Sequence, residues 1–353
     1  MEITPRLMNW YQQNHRDLPW RNTHDPYKIW LSEVILQQTR INQGTDYYLK
    51  FVENYPEVNK LAIAPEDEVL KLWQGLGYYS RARNLHNAAK IIMQKFKGEF
   101  PRDFDQILKL PGIGQYTASA VASIAFGEPR PAIDGNVLRV ISRLIALEEP
   151  VDSSIGRKKI EKVLQLQIDK NNPGTFNQAV MEFGATFCKP QNPDCQNCIF
   201  SAECMAFSLK IVDRLPVKEK KSEQKMRFFY YLIITRFKQN DRVIYLHKRT
   251  KSDIWKGLYD FPLVETSKEI AVEALISDPQ WANIFSNAIP LIKKISAKYT
   301  HILTHQKIIT RFIETEINTP IINEDFIEVR LDLLNNYPVP ILIEKYLQSA
   351  QLL

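Results

Sequence analysis

All four cysteines of the chain fall within one short stretch, spaced Cys188-x6-Cys195-x2-Cys198-x5-Cys204. None is left elsewhere to staple the fold, so the remaining chain must be held together by an apolar core. So tight a cluster points to a metal centre. Thiolates hold zinc and iron–sulfur clusters alike. Structural zinc usually shows two short Cys-x2-Cys pairs, and only Cys195–Cys198 is one. On residue chemistry alone, zinc and iron stand about equal.

The core is affordable in a chain of 353 residues with 44% hydrophobic content, a length that suggests two or three domains. The net charge of +6 permits a polyanionic partner without proving one. No apolar run reaches the length of a membrane span, and Met1 to Trp20 lacks the apolar core of a signal peptide. The expectation is a cytoplasmic protein with no membrane partner.

From about Ile3 to Leu209 the pattern is mainly helical. One helix opens at Asp25-Pro26 and runs through IWLSEVILQQ, and another follows Asp134-Gly135 with an apolar face of Val137, Leu138, Ile141, Leu144 and Ile145. Residues 212–225 are charged, contain Pro216 and read as a linker. Beyond it, 228–237, 242–249 and 307–317 look like strands, with helical pieces near 266–277 and 336–348. The domain reading is a helical region over 1–211, a linker over 212–225 and an α+β domain over 226–353.

Residues 104–125 carry an apolar helix ending at Leu110, the tight hairpin Pro111-Gly112-Ile113-Gly114, and a second helix of small apolar residues. Gly112 and Gly114 allow positive φ and close backbone approach. The amides opening the second helix are then free for a phosphate, helped by the helix dipole. This is the pattern of a helix–hairpin–helix that grips DNA backbone without reading sequence; an ordinary αα-hairpin is the plainer alternative. Two carboxylates stand nearby in the pattern. Unaided, Glu33 reads as a solvated helix glutamate and Asp134 as a plain N-cap.

Taken together, RDLPWR (16–21), SEVILQQT (32–39), GLGYYSRARNL (75–85), LPGIGQYTA (110–118), DGNV (134–137), FNQAVMEFGATFC (176–188) and the cysteine spacing resemble the helix–hairpin–helix DNA glycosylases, most closely the adenine-specific MutY type. The resemblance covers nearly the whole chain. It implies a [4Fe–4S] cluster on Cys188, Cys195, Cys198 and Cys204, with Lys189 beside it near DNA phosphate. Glu33 becomes the acid that protonates the departing adenine, and Asp134 the anion that stabilises the cationic sugar, supported by Asn136. Bifunctional relatives carry a lysine where this chain has Tyr116, and tyrosine cannot form a Schiff base, so a monofunctional enzyme is implied. Arg16, Trp20, Arg21, Leu36 and Gln178 match base-pocket positions, and Gln38 and Tyr78 match residues that wedge into the duplex. Tyr79 reads as core; Arg81 and Arg83 read as phosphate contacts on charge alone.

WKGLYDFP (255–262) is similar to a segment of the family's carboxy-terminal, Nudix-like domain. The stretch LVETSKEIAVEALI lacks the glutamate pattern of a working Nudix hydrolase, so no nucleotide hydrolysis is expected. Leu303-Thr304-His305 aligns with a Phe-Ser-His signature that recognises 8-oxoguanine; the hydroxyl and imidazole are kept, and Leu303 replaces the aromatic. The implied partner is double-stranded DNA with A:8-oxoguanine or A:G mispairs, met by a monomer associated with a bacterial-type nucleoid. The rivals are a bifunctional glycosylase/lyase for damaged pyrimidines and a non-catalytic DNA-binding relative.

Overall fold

Capping chemistry starts the helices that carry the site. Helix α1 (Thr4–Asn14) buries Leu7, Trp10 and Tyr11. Helix α2 (Pro26–Leu36) opens on Asp25, whose carboxylate accepts Tyr27 N–H at 2.9 Å. It stops two residues earlier than the sequence suggests, because Gln37 and Gln38 leave the helix and Gln38 adopts φ 58°. After α3 (Ile41–Asn54) and α4 (Val58–Ile63) come α5 (Glu66–Leu72) and α6 (Ser80–Phe96). The hairpin pair is α7 (Phe104–Leu108) and α8 (Gln115–Phe126). Helices α9 (Gly135–Leu144), α10 (Ser154–Gln167), α11 (Pro173–Thr186) and α12 (Met205–Ser208) complete the series. Asp134 caps α9, accepting Val137 N–H at 2.7 Å, as its position before Gly135 suggests.

The computed structural model describes residues 2–219, 224–239, 241–286 and 288–351. They form two units: 1–63 with 84–220, and 64–83 with 221–353. A core in the first unit joins α1, α9, α10 and α11 through Leu7, Trp10, Val137, Ile141, Leu164, Phe176 and Phe183. Helices α9 and α11 approach closely at Gly184, where a Cβ would stand 2.7 Å from Asn136 Cβ. Residues 220–223 of the expected linker lie outside the described residues. Its earlier part is tied to the first unit: Val151 N–H donates to Val217 O at 3.0 Å, and Glu219 N–H to the Asp152 carboxylate at 3.0 Å.

The second unit is built on a mixed sheet. Strands β1 (Lys225–Lys238), β2 (Asp241–Lys248), β3 (Tyr259–Asp260) and β4 (Leu263–Thr266) precede α13 (Val272–Ile276) and α14 (Pro279–Phe285). Then come β5 (Leu291–Ile295), β6 (Tyr299–Ile302), β7 (Gln306–Glu316), β8 (Phe326–Arg330) and α15 (Ile341–Ser349). The sheet path is β3-β2-β1-β7-β5, with β4 on β1, β6 on β7 and β8 on β2. Strands β1 and β7 pair in parallel from Lys225–Gln306 to Thr235–Glu316; the other ladders are antiparallel. A seven-residue run of β1 is buried, as a central strand packed on both faces should be. Phe312 of β7 stacks on Tyr346 of α15 with centroids 3.9 Å apart.

Residues 64–83 belong with this sheet through polar ties. Asp67 accepts from Lys248 Nζ at 2.8 Å and Tyr259 Oη at 2.9 Å, and Lys71 Nζ donates to Asn335 at 3.2 Å. Tyr79 is buried, in keeping with the core reading, and its hydroxyl donates to Val339 O at 3.4 Å.

Candidate active site

One pocket of about 210 Å³ in the first unit gathers most of the sequence-derived candidates. Arg16, Trp20, Arg21, Glu33, Leu36, Tyr116, Asp134, Asn136 and Gln178 all line it. They come from five segments: the stretch before α2, α2 itself, the start of α8, the cap and first turn of α9, and the middle of α11. Trp20 borders the pocket and also packs edge-on against Tyr48 at 5.3 Å.

Glu33 is buried on α2 among Trp30, Val34 and Ile35. Burial pushes its carboxyl up to about 7; the Tyr116 hydroxyl pulls it back by hydrogen bonding, Asp134's charge pushes it up, and Arg21's pulls it down. The side chain is thus about half protonated near neutrality, where a general acid works best. Tyr116, whose hydroxyl also lies 3.4 Å from Met181 Sδ, is driven well above its ordinary pKa, first by burial and then by the charges of Glu33 and Asp134. It stays a neutral hydroxyl.

Asp134 is the second carboxylate. Burial raises its pKa, while Val137 N–H and the Asn136 side chain hydrogen-bond to the charged form and Arg139 adds a positive field. Asn136 Nδ2 donates to Oδ2 at 2.7 Å. The chain of contacts continues: Arg139 Nη2 donates to Asn136 Oδ1 at 2.9 Å and to Gly184 O at 2.7 Å, and its Nε to Cys188 O at 2.9 Å. A pocket carboxylate and the first cysteine are therefore joined by one fixed network.

Glu182 was not anticipated from sequence. It lies in the pocket, 1% exposed, and binds both arginines: Arg16 Nε and Nη2 at 2.6 and 2.7 Å, and Arg21 Nη2 at 2.6 Å. Burial pushes its carboxyl up, but these bonds together outweigh burial and hold it at about 2. The signal that could have found it is a carboxylate on an otherwise apolar helix, between Gln178 and Cys188.

In the hairpin, Gly112 takes φ 76°, and a Cβ there would come within 2.6 Å of Asn84 Cβ. Gly114 departs from expectation: it caps α8 in extended backbone, φ −98°, and a Cβ would meet nothing within 4 Å, so left-handed freedom is needed at only one of the two glycines. No side chain caps α8, which leaves its first amides facing outward. Gln38 and Tyr78 are exposed, and both adopt left-handed backbone, at φ 58° and 49°. Gln38 belongs to the first unit and Tyr78 to the second.

Within the second unit, Leu303-Thr304-His305 forms the tight turn between β6 and β7, closed by Leu303 N–H to Gln306 O at 2.8 Å. His305 is thus in an exposed turn rather than on a strand. The Thr304 and Tyr78 hydroxyls meet at 3.0 Å. Arg81 and Arg83 have internal uses: Arg81 stacks over Trp73 at 5.1 Å and Arg83 donates to Lys256 O.

Cys188, Cys195, Cys198 and Cys204 border one cavity with Val140, Leu144, Phe183, Phe200 and Phe207. Among the described residues, no group of three or more His, Cys, Asp or Glu side chains converges as a single metal ion requires. Arg143 Nη1 lies 3.4 Å from Cys188 Sγ, and Phe200 N–H lies 3.4 Å from Cys198 Sγ. Four thiols around an apolar space, with N–H donors to sulfur, fit the donor set of a multi-iron cluster. Among the described residues no helix is long and apolar enough to cross a membrane.

Comparison with known proteins agrees with this geometry. Residues 31–166 match the HhH-GPD superfamily of base excision DNA repair proteins, and residues 230–349 match the NUDIX domain. The chain is 35% identical over 297 residues to the adenine DNA glycosylase of Buchnera aphidicola subsp. Acyrthosiphon pisum (strain APS), covering 84% of this chain and 83% of that protein. A thermostable thymine-DNA glycosylase superposes with TM-score 0.54 at 29% identity, over 58% of this chain and 94% of its own. Endonuclease III in a non-covalent DNA complex superposes with TM-score 0.51 at 27% identity, over 58% and 93%. The chain, a DNA-binding N-glycosylase of base excision repair with a helix–hairpin–helix region and a Nudix-like domain, belongs to the adenine DNA glycosylase family.

Proposed function

We propose that the chain is a monofunctional glycosylase that hydrolyses the N-glycosidic bond of adenine mispaired with 8-oxoguanine, and with guanine, in duplex DNA. The observation that carries this reading is the single pocket holding Glu33, poised near neutrality, together with Asp134 and Tyr116.

Adenine must leave the base stack to reach such a pocket. Gln38 and Tyr78 wedge the duplex open, the uncapped start of α8 holds a phosphate with Gly112 and Gly114 allowing its approach, and Arg16, Trp20, Arg21, Leu36 and Gln178 seat the base. Glu33 gives its proton to adenine N7. The C1′–N9 bond then breaks with its electron pair moving onto the base, and Asp134, steadied by Asn136, faces the cationic sugar. Water attacks C1′, its proton passes to the Glu33 carboxylate, and an abasic site remains. With Tyr116 where an amine would be needed, no Schiff base forms and the strand stays intact.

Leu303, Thr304 and His305 present an exposed edge to the opposite base, where hydroxyl and imidazole can tell 8-oxoguanine from guanine. Cys188, Cys195, Cys198 and Cys204 hold a [4Fe–4S] cluster, which when bound fixes the loop that Arg139 and Arg143 grip. The pocket is complete within one chain, so the enzyme acts as a monomer. The test is single-turnover release of adenine opposite 8-oxoguanine, guanine, cytosine or thymine, with and without alkali. Release opposite 8-oxoguanine, with strand breaks only after alkali, is expected. Breaks without alkali, trapped by borohydride, would favour the lyase rival instead.

A further inference from the structure

Glu182 is a buried carboxylate in the base pocket that no step above uses. Helix α11 presents it one turn beyond Gln178, on the same face. Besides both guanidinium groups it accepts the Arg16 backbone N–H at 3.1 Å. Arg21 in turn donates to Arg16 O at 2.9 Å and lies over the Tyr11 ring at 5.6 Å, and the Tyr11 hydroxyl donates to Gln178 Oε1 at 2.9 Å. The rim of the pocket is therefore one connected assembly with Glu182 at its anchor. Gln178, its oxygen taken by Tyr11, has its amide N–H groups left to offer a ring nitrogen.

We propose that Glu182 is a positioning residue of the base pocket, fixing Arg16 and Arg21 beside the base and cancelling their charge where Glu33 must keep its proton. The proposal rests on the reading of Glu33 as the acid. The charged and titratable groups around Glu33 are Arg21 from the segment before α2, Tyr116 from α8 and Asp134 at the cap of α9. Arg16 and Glu182 lie further round the same pocket. Of the two cations, Arg21 favours the carboxylate form of Glu33 directly. Remove the anion that neutralises it, and Glu33 gives up its proton at lower pH.

The experiment is the pH–rate profile of single-turnover adenine release by the full-length, cluster-loaded enzyme on an A:8-oxoguanine duplex. E182Q should move the alkaline limb down by about one pH unit and slow release near neutrality by about fivefold, with partial recovery in acid. R21M should move the limb the other way, and E182Q/R21M should bring it back toward wild type. E182D, which keeps the charge on a shorter arm, should lose rate with its limb near the wild-type position. Cluster absorbance and circular dichroism report folding; if E182Q alone does not fold, the charge-balanced E182Q/R21M is compared with R21M, and its limb should lie below that of R21M. An unmoved limb in either single variant, or a double variant that matches E182Q, overturns the assignment. A wild type that releases no adenine refutes the functional reading itself, whereas active wild type with unmoved limbs refutes only the role of Glu182.

Discussion

The pocket of the first unit and the β6–β7 turn of the second solve opposite problems. In the pocket, Glu33 and Glu182 are buried, Asp134 is half-buried, and each is held by fixed partners: Glu182 by two arginines, Asp134 by a backbone N–H and Asn136, Glu33 by apolar walls and Tyr116. In the turn, Thr304 and His305 are exposed, and the Thr304 hydroxyl meets the Tyr78 hydroxyl at 3.0 Å. Low dielectric and fixed dipoles tune acids, so chemistry belongs in the first kind of place. Reading a base requires polar groups that water can leave, which suits the second to its proposed recognition role. Substitutions in the pocket should therefore cost rate, and substitutions in the turn should cost discrimination.

The sharpest break of that contrast is Glu33→Gln. Losing the proton donor should reduce single-turnover release by roughly 10²–10⁴-fold while duplex affinity holds, read by gel shift beside the kinetics. Wild-type rate in this variant would remove Glu33 from the mechanism. Asp134→Asn comes next. The cap survives in Asn, but the negative charge facing the sugar does not, and a loss of roughly 10²–10³-fold is expected.

Glu33→Gln also tests burial by stability. The folded pKa, about 7, exceeds the ordinary 4.5. Below the unfolded value the group is protonated in both states and costs nothing. As pH rises through the folded value the unfolded chain ionises first, so up to about 3 kcal/mol of stability is lost. The melting temperature of Glu33→Gln should therefore rise relative to wild type from about pH 5 to about pH 8. A gap that does not change with pH means that Glu33 ionises as freely folded as unfolded.

How far the sequence reached follows the same division. Glu33 and Leu36 share a helical face, and Asp134 and Asn136 share one capping turn, so local periodicity and motif brought them together before any fold was known. Glu182 escaped because its partner Arg16 lies 166 residues away, and a glutamate on a helix reads locally as solvated. The membership of residues 64–83 in the second unit escaped for the same reason, since it rests on Asp67 meeting Lys248 and Tyr259. Strands β1, β2 and β7 were legible as long runs of β-branched and aromatic residues. Strands β5, β6 and β8 are short and half exposed, which blurs their alternation. Glycine at position 114 permits left-handed backbone, but a helix cap is satisfied by extended backbone, and the sequence does not distinguish the two.

The smallest expected effect is the most informative about the turn. Tyr78→Phe keeps the ring that would wedge beside the mispair and removes only the hydroxyl that meets Thr304 at 3.0 Å. One neutral hydrogen bond contributes about 0.5–1.5 kcal/mol, so preference for 8-oxoguanine over guanine opposite adenine should fall only about two- to tenfold, with the rate opposite 8-oxoguanine nearly kept. Thr304→Val removes the other half. If the two hydroxyls act as a unit, the double variant should lose no more discrimination than Thr304→Val alone, because the second substitution finds its partner already gone. Additive losses would mean that each hydroxyl serves a separate contact, and the turn would then read the opposite base without help from Tyr78. A fall in rate with discrimination unchanged would cut deeper: the turn would then belong with the chemistry, and the contrast between the two regions would not hold.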